Sequence, residues 1–338
     1  MKHKLLTILY FLGFWLGITR LFYYFNRNNQ RILTYHNIIE DTVFDETSPC
    51  MGVSHAASVF AYQMKSVKKY LKPSLTIGEP ASFVVTFDDG YANNFHHAYD
   101  ILEHENIKGI FFVPLDIIDS REPLWIDKIL MWASYVPAGK YTLFESEISI
   151  TDNRSRHLLF ERLWNIVLEN YSQKEAVIES LENSYPFNKI PLPDTLKKTR
   201  FYGLSSDNLE VMKNSGHLIA AHAVHHDILS LLDKESLSKD IASTEKQLND
   251  TFNTKIYAYP FGGRGEVGER EIEALSKSEF TMAFVNTAKP DDFRYCRYAV
   301  PRFSLPNTTN PYIIHAKMSG LEYFLKHGSM LPCIKDLL

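Results

Sequence analysis

Short apolar runs rich in β-branched and aromatic residues recur along this chain, and segments with helical spacing separate them. The runs fall at 31–36 (RILTYH), 83–87 (FVVTF), 109–114 (GIFFVP), 217–222 (HLIAAH), 256–259 (IYAY), 280–285 (FTMAFV) and 298–303 (YAVPRF). Helical spacing falls at 56–71, 95–106, 207–215, 234–252 and 268–277. Strand alternating with helix is the pattern of a parallel sheet with helices outside it. Seven such strands suit a closed or nearly closed (β/α) barrel, with a doubly wound open sheet as the alternative. In such a barrel the chemistry belongs at the C-terminal ends of the strands. Residues 121–202 break the rhythm with a longer helical stretch, HLLFERLWNIVLENY, and the proline-punctuated YPFNKIPLPD. They read as an insertion on the barrel, not as a separate domain.

A chain of 338 residues with 45% hydrophobic content builds a substantial core. The formal charge of -4 offers no basic field for a nucleic-acid backbone, and the cluster Lys197, Lys198 and Arg200 reads as a solvated loop. Nucleic acid is therefore set aside as a partner. Cys50, Cys296 and Cys333 are widely spaced and contain no CxxC, so neither a disulfide framework nor a thiolate zinc site is suggested.

The first thirty residues differ from the rest. An apolar stretch from Leu5 to Thr19 is followed by Arg20 and a second aromatic cluster before Arg27 and Arg31. The stretch is short for a spanning helix, which needs roughly 20 residues, and small residues suited to a cleavage site are missing. A signal-anchor helix and an interfacial helix with basic ends both fit. A helix packed on the protein's own domain is the plainer alternative. The expectation is membrane association, with the side of the membrane left open because basic residues flank both ends.

The run VVTFDDGYANNF ends in two adjacent carboxylates. Successive side chains of a strand point to opposite faces, so Asp88 and Asp89 can do different jobs, one holding a cation and the other taking a proton. Gly90 permits a turn that a Cβ would resist. The tripeptide alone is also an ordinary turn sequence. AAHAVHHDILS adds His222 at the end of an apolar run and His226 four residues later, with His225 between them. Imidazoles at this separation can reach one ion, and together with one aspartate they form a two-histidine, one-carboxylate set with open positions for water and substrate.

VVTFDDGY, HAVHH and YAYPFGGR, in this order, resemble the successive motifs of the polysaccharide deacetylase family (NodB-homology domain, carbohydrate esterase family 4). The likeness runs from about Arg31 to Leu305 and includes IKGIFFVPLDIID, LSSDNLEVMKNSGHLIAAH and VPRFSL. ILTYHNI is similar to the Tyr-His segment of the branch that acts on poly-N-acetylglucosamine and other surface glycans. The resemblance implies a distorted (β/α)7 barrel at 31–338, with the insertion at about 121–202 and the hydrophobic helix at 1–30. It implies metal-dependent removal of N-acetyl groups from a polysaccharide of the bacterial cell surface or envelope. By position, Asp88 is the general base, Asp89, His222 and His226 hold a divalent metal, preferably Zn2+, and the Phe261 backbone N–H meets the developing oxyanion.

The motifs also depart from the family pattern. Ala258 stands where many members carry an arginine that orients the catalytic aspartate, and Arg302 is the preferred substitute over Arg264. The C-terminal leucine-x-histidine motif is not clear, so protonation of the leaving amine is assigned to His36 ahead of His315. Ala223 replaces a hydroxyl residue after the first ligand histidine. Trp125 and Trp132 can line a sugar-binding groove, although their seven-residue spacing is also that of a packed helix face. The competing functions are a metal hydrolase of the same fold acting on O-acetyl esters or non-peptide amides, and a catalytically inactive glycan binder.

Overall fold

The computed structural model describes residues 2–286 and 294–338. Seven parallel strands form the path of one sheet, β1 (Arg31–Tyr35), β2 (Ser82–Phe87), β3 (Gly109–Val113), β4 (Leu218–Ala221), β5 (Ile256–Ala258), β6 (Met282–Val285) and β7 (Val300–Pro301), and a two-residue strand, Lys72–Pro73, pairs off that path with β2. Each strand pairs with the next in sequence order. The sheet nearly closes through a parallel bridge between Leu33 of β1 and Phe303 just beyond β7. Thr34 N–H donates to the Phe303 carbonyl at 3.1 Å and Phe303 N–H to the Ile32 carbonyl at 3.0 Å, which seals this seam. The chain thus forms the distorted (β/α)7 barrel, and the open sheet is discarded.

The period of two along the strands explains the layers. Ile32, Val84, Ile110, Phe112, Ala258, Phe284 and Val300 cluster together inside the barrel. Their neighbours Leu33, Phe83, Val85, Phe111 and Val285 face the opposite way, into the larger core beneath the outer helices. Because both faces are covered, the strands read as continuous apolar runs and not as alternating ones.

Helices α1 (Lys2–Trp15) and α2 (Ile18–Phe25) precede the barrel. They join at Gly17, whose φ of 77° lies in the left-handed region that glycine enters freely, and the pair bends there by 83°. Together with α3 (Ala57–Val67) they meet a C-terminal helix, Pro311–Ser319, whose His315 is buried among them. Tyr23 Oη lies 3.0 Å from His315 Nδ1 and Ser66 Oγ 3.1 Å from its Nε2, while Asn26 Nδ2 donates to the Ser319 carbonyl at 2.9 Å. No single helix among the described residues is long and apolar enough to cross a membrane; one bent pair, Leu6–Trp15 with Ile18–Phe25, passes on length and composition. The packing on the protein's own domain is real, while the outward side of the pair stays exposed at Ile8, Leu12, Trp15, Leu16, Leu21 and Phe25.

The insertion follows β3. It holds α4 (Trp125–Tyr135), α5 (Asn153–Glu169) and α6 (Lys174–Ser184), but also an antiparallel hairpin, Gly139–Leu143 with Ser146–Ile150, that the helical reading of 121–202 omitted. Its two turn residues, Phe144 and Glu145, have φ of 50° and 62°. Such a turn normally announces itself through Asn-Gly or Asp-Gly, and here neither is present. α5 begins with a capping box, Asp152 accepting from Ser155 N–H at 2.8 Å. The Lys-Arg cluster is corrected as well: Arg200 is fully buried, 3.0 Å from Asp127, because the insertion folds that segment over α4. Its charge is acceptable inside only because a carboxylate meets it.

Candidate metal centre and active site

Every polar group named at the rim follows the C-terminal end of a strand: His36 after β1, Asp88 and Asp89 after β2, His222 and His226 after β4, Phe261 after β5, Asn286 after β6 and Arg302 after β7. Asp89, His222 and His226 each offer one ligand atom, and these atoms lie within 4.8 Å of one another. Asp89 Oδ1 stands 2.9 Å from His226 Nε2 and 3.3 Å from His222 Nε2. All three residues are buried, and neither Nε2 has an aligned hydrogen-bond partner. His222 Nδ1 lies 2.7 Å from the Ala258 carbonyl, so Nδ1–H donates there and the Nε2 lone pair turns inward. Two inward nitrogen lone pairs and a carboxylate oxygen are a donor set that fits a divalent ion. His225 points away, to Asp116 on the exposed side.

The local backbone is unusual at these positions. Asp89, Ala223, His226 and Phe261 all have positive φ, from 55° to 72°. Residues with a Cβ rarely adopt this conformation, and it clusters where function over-determines geometry. Gly90 follows with φ of 65°, and a Cβ there would meet Val113 Cγ1 at 2.6 Å. The turn therefore needs glycine both for its dihedral and for its close approach to β3. Trp125 Nε1 donates to the His226 carbonyl at 3.0 Å, pinning the loop that carries the second imidazole.

Asp88 is fully buried, and Arg302 grips it with two bonds of 2.7 Å, Nη1 to Oδ1 and Nη2 to Oδ2. Thr86 Oγ1 accepts from Arg302 Nη1 at 3.0 Å and fixes the guanidinium plane. Arg264 is exposed on its loop and takes no part in that grip. Burial alone would raise the Asp88 carboxyl, yet Arg302 and the imidazoles of His222 and His36 hold it below the ordinary carboxylate range. Burial likewise opposes ionisation of Asp89, and His226, His36 and His222 outweigh it, leaving Asp89 well below that range. His36 Nε2 lies 3.9 Å from Asp88 Oδ2 at the edge of a cleft lined by Met51, Val53, His55, Leu305 and Asn307.

Other sequence-based candidates lie elsewhere. His315 is sealed beneath α1 and α2, away from the rim. Trp132 is completely buried and its Nε1 donates to the Tyr185 carbonyl at 3.0 Å, so it belongs to the core of the insertion and lines no groove. Asn286 was missed: its Nδ2 donates to the Phe261 carbonyl at 3.0 Å and reaches Asp88 Oδ2 at 3.3 Å. Its place immediately after β6 is the signal that marks it. The Tyr91 hydroxyl donates to Asp127 at 2.7 Å, linking the acid-pair turn to the insertion.

The polysaccharide deacetylase family model matches residues 174–283, a span that holds both imidazoles of the trio and Phe261. Over that third of its length the chain is similar to the polysaccharide deacetylase family. It is accordingly a hydrolase of carbon–nitrogen bonds other than peptide bonds. The fold is similar to that of a Streptococcus pyogenes deacetylase, PplD, in complex with acetate, at 13% identity and a TM-score of 0.51, covering 85% of this chain and 97% of that one. It is also similar to BC0361, a polysaccharide deacetylase from Bacillus cereus (14%, TM-score 0.51, 86% and 68% covered). A third is the putative polysaccharide deacetylase BA0330 from Bacillus anthracis (13%, TM-score 0.50, 86% and 68% covered). At these identities the likeness speaks for the fold alone. No curated protein matches the chain.

Proposed function

We propose that this deacetylase is a metal-dependent N-deacetylase of a cell-surface or envelope polysaccharide. The observation that carries the reading is the convergence of two unpartnered imidazole nitrogens and the Asp89 carboxylate beside a second, separately held acid, Asp88. A divalent ion held by Asp89, His222 and His226 would supply Lewis acidity towards the acetamide carbonyl and acidify a water molecule. Asp88 takes the proton of the water that attacks the acetyl carbon. Arg302 keeps Asp88 ionised and aimed, and Asn286 braces the same carboxylate against the loop of Phe261. The Phe261 backbone N–H is assigned to the oxyanion, a donor whose loss typically lowers turnover ~100-fold or more. His36, at the open edge of the site, returns a proton to the departing sugar amine as the C–N bond breaks, giving acetate and a free amine. Acetate release from N-acetylglucosamine oligomers, measured with metal content, tests the reading. Acetate from the metal-loaded protein, abolished by chelation, is expected. Bound metal with no acetate from any acetylated glycan overturns it in favour of a glycan binder.

We further propose that the protein attaches to an anionic membrane surface through α1 and α2. The exposed apolar side of this pair is supported by Phe324 and Leu325, both exposed, with the Phe324 ring 5.3 Å from that of Phe22. Arg20 and Arg27 are exposed beside it, the arrangement of a helix lying in a lipid interface with basic residues at headgroup level. Flotation with phosphatidylserine vesicles is expected for the full chain and loss of it for Leu16→Glu. Equal recovery with and without vesicles would count against the attachment.

A further inference from the structure

The insertion brings an aromatic face to the metal centre. On α5, Asn153, His157, Phe160 and Trp164 recur at helical spacing and share one side of the helix. Leu159, Leu163 and Val167 form the neighbouring buried stripe that seats α5 on the insertion core. On the first side Phe160 and Trp164 also pack against the core, but both rings remain only half-buried. At its start, Asn153 and His157 hold Thr47, in the loop that borders the His36 cleft. At its far end, the Trp164 ring lies 5.3 Å from Phe261, whose ring is in turn 4.8 Å from that of His226. Phe160, Trp164 and Trp125 are nearly parallel in succession, at 19° and 9°, with centroids 6.4 and 6.0 Å apart.

We propose that Phe160 and Trp164 form a glycan subsite, taking the apolar face of a pyranose ring adjacent to the residue being deacetylated. This rests on the reading of the centre as a glycan deacetylase. Partly exposed rings continuous with a metal centre suit a ligand that is apolar on its ring faces and polar at its edges, and a pyranose is such a ligand. Trp125 serves differently, because its indole is buried and bonded to the His226 carbonyl.

Equilibrium binding of N-acetylglucosamine oligomers to the metal-loaded full chain, followed by calorimetry, separates this subsite from turnover. Trp164→Ala and the larger, still apolar Trp164→Met are expected to weaken binding ~10-fold, within the range of a lost aromatic contact. Trp164→Phe is expected to retain most of it. Metal content should match the parent in all three. Phe160→Ala provides the same test at a second position should the tryptophan variants fail to fold. Unchanged affinity in Trp164→Ala, or in Phe160→Ala where that variant is the one available, overturns the subsite. A parent protein that binds oligomers through Trp164 yet releases no acetate overturns the hydrolytic reading and leaves the subsite standing.

Discussion

Two sets of buried imidazoles show what distinguishes a site from a scaffold in this molecule. On the flank, His315 is enclosed by α2, α3 and its own helix, and both ring nitrogens have hydroxyl neighbours, Tyr23 and Ser66. His217 is similar, with Gly109 N–H at one nitrogen and Glu103 at the other. At the rim, His222 is partnered at Nδ1 only, and His226 has no aligned partner at either nitrogen. An unsatisfied buried polar atom costs about 1–3 kcal/mol, and here the two Nε2 atoms converge with a carboxylate oxygen of Asp89, an arrangement that a bound cation would relieve. Burial of a histidine is therefore uninformative by itself. The direction of the nitrogen left over is what separates the two sets.

The sharpest way to break this contrast is to delete one imidazole from each set. His226→Ala is expected to abolish metal retention and reduce acetate release to background. His315→Gln should keep both. Equal metal content in the two variants, read by elemental analysis, would remove the distinction. Next in size is Arg302→Met, which strands the Asp88 charge inside the barrel. Removing one partner of a buried ion pair destabilises by about 3–5 kcal/mol. Urea unfolding should show that loss, and a shift under about 1 kcal/mol would mean the pair is better solvated than its burial implies. Asp88→Asn comes third. It preserves the shape and the metal trio, so metal should stay bound while turnover falls ~100-fold or more, the scale of a lost general base. Unchanged turnover would take the base role away from Asp88.

Much of the rim was legible in the sequence because barrel chemistry collects at strand ends, and strand ends are visible where an apolar run stops at Asp, at His or at Pro-Phe-Gly. The strands at 31–36, 83–87 and 109–114 recur in the structure to within one residue at either end, whereas that at 280–285 is shorter and begins at Met282. What escaped notice depended on distant partners. Arg200 looked like a surface cation because Asp127, its counter-charge, lies on another helix of the insertion. The 139–150 hairpin carries its left-handed turn on Phe144 and Glu145, residues that do not advertise one. The bend at Gly17 split the apolar N-terminal stretch, which hydropathy reads as continuous. Asn286 was marked only by its place at the end of β6, while its task lies in contacts to β1, Phe261 and Asp88.

The smallest expected effect concerns the flank set alone. His315 faces Tyr23 from α2, Ser66 and Lys69 from the α3 region, and the rings of Phe14 and Tyr70. Burial first, and the nearby Lys69 charge second, push its pKa from 6.5 down to about 4. The unfolded chain therefore binds this proton at a higher pH than the folded one. Its contribution is fully present above the unfolded value and is lost as pH falls from about 6.5 towards about 4, with stability rising with pH across that window. Between about pH 7 and about pH 5 the loss amounts to about 2 kcal/mol. Other buried histidines, such as His55, also held near a pKa of about 4, add their own slopes, so the test is a difference. His315→Gln should flatten the pH dependence of urea unfolding relative to the parent by that amount, without altering metal content. Parallel curves for the two proteins would mean that the flank imidazole titrates freely in the folded state and that the helix pair is not keyed to the barrel through it.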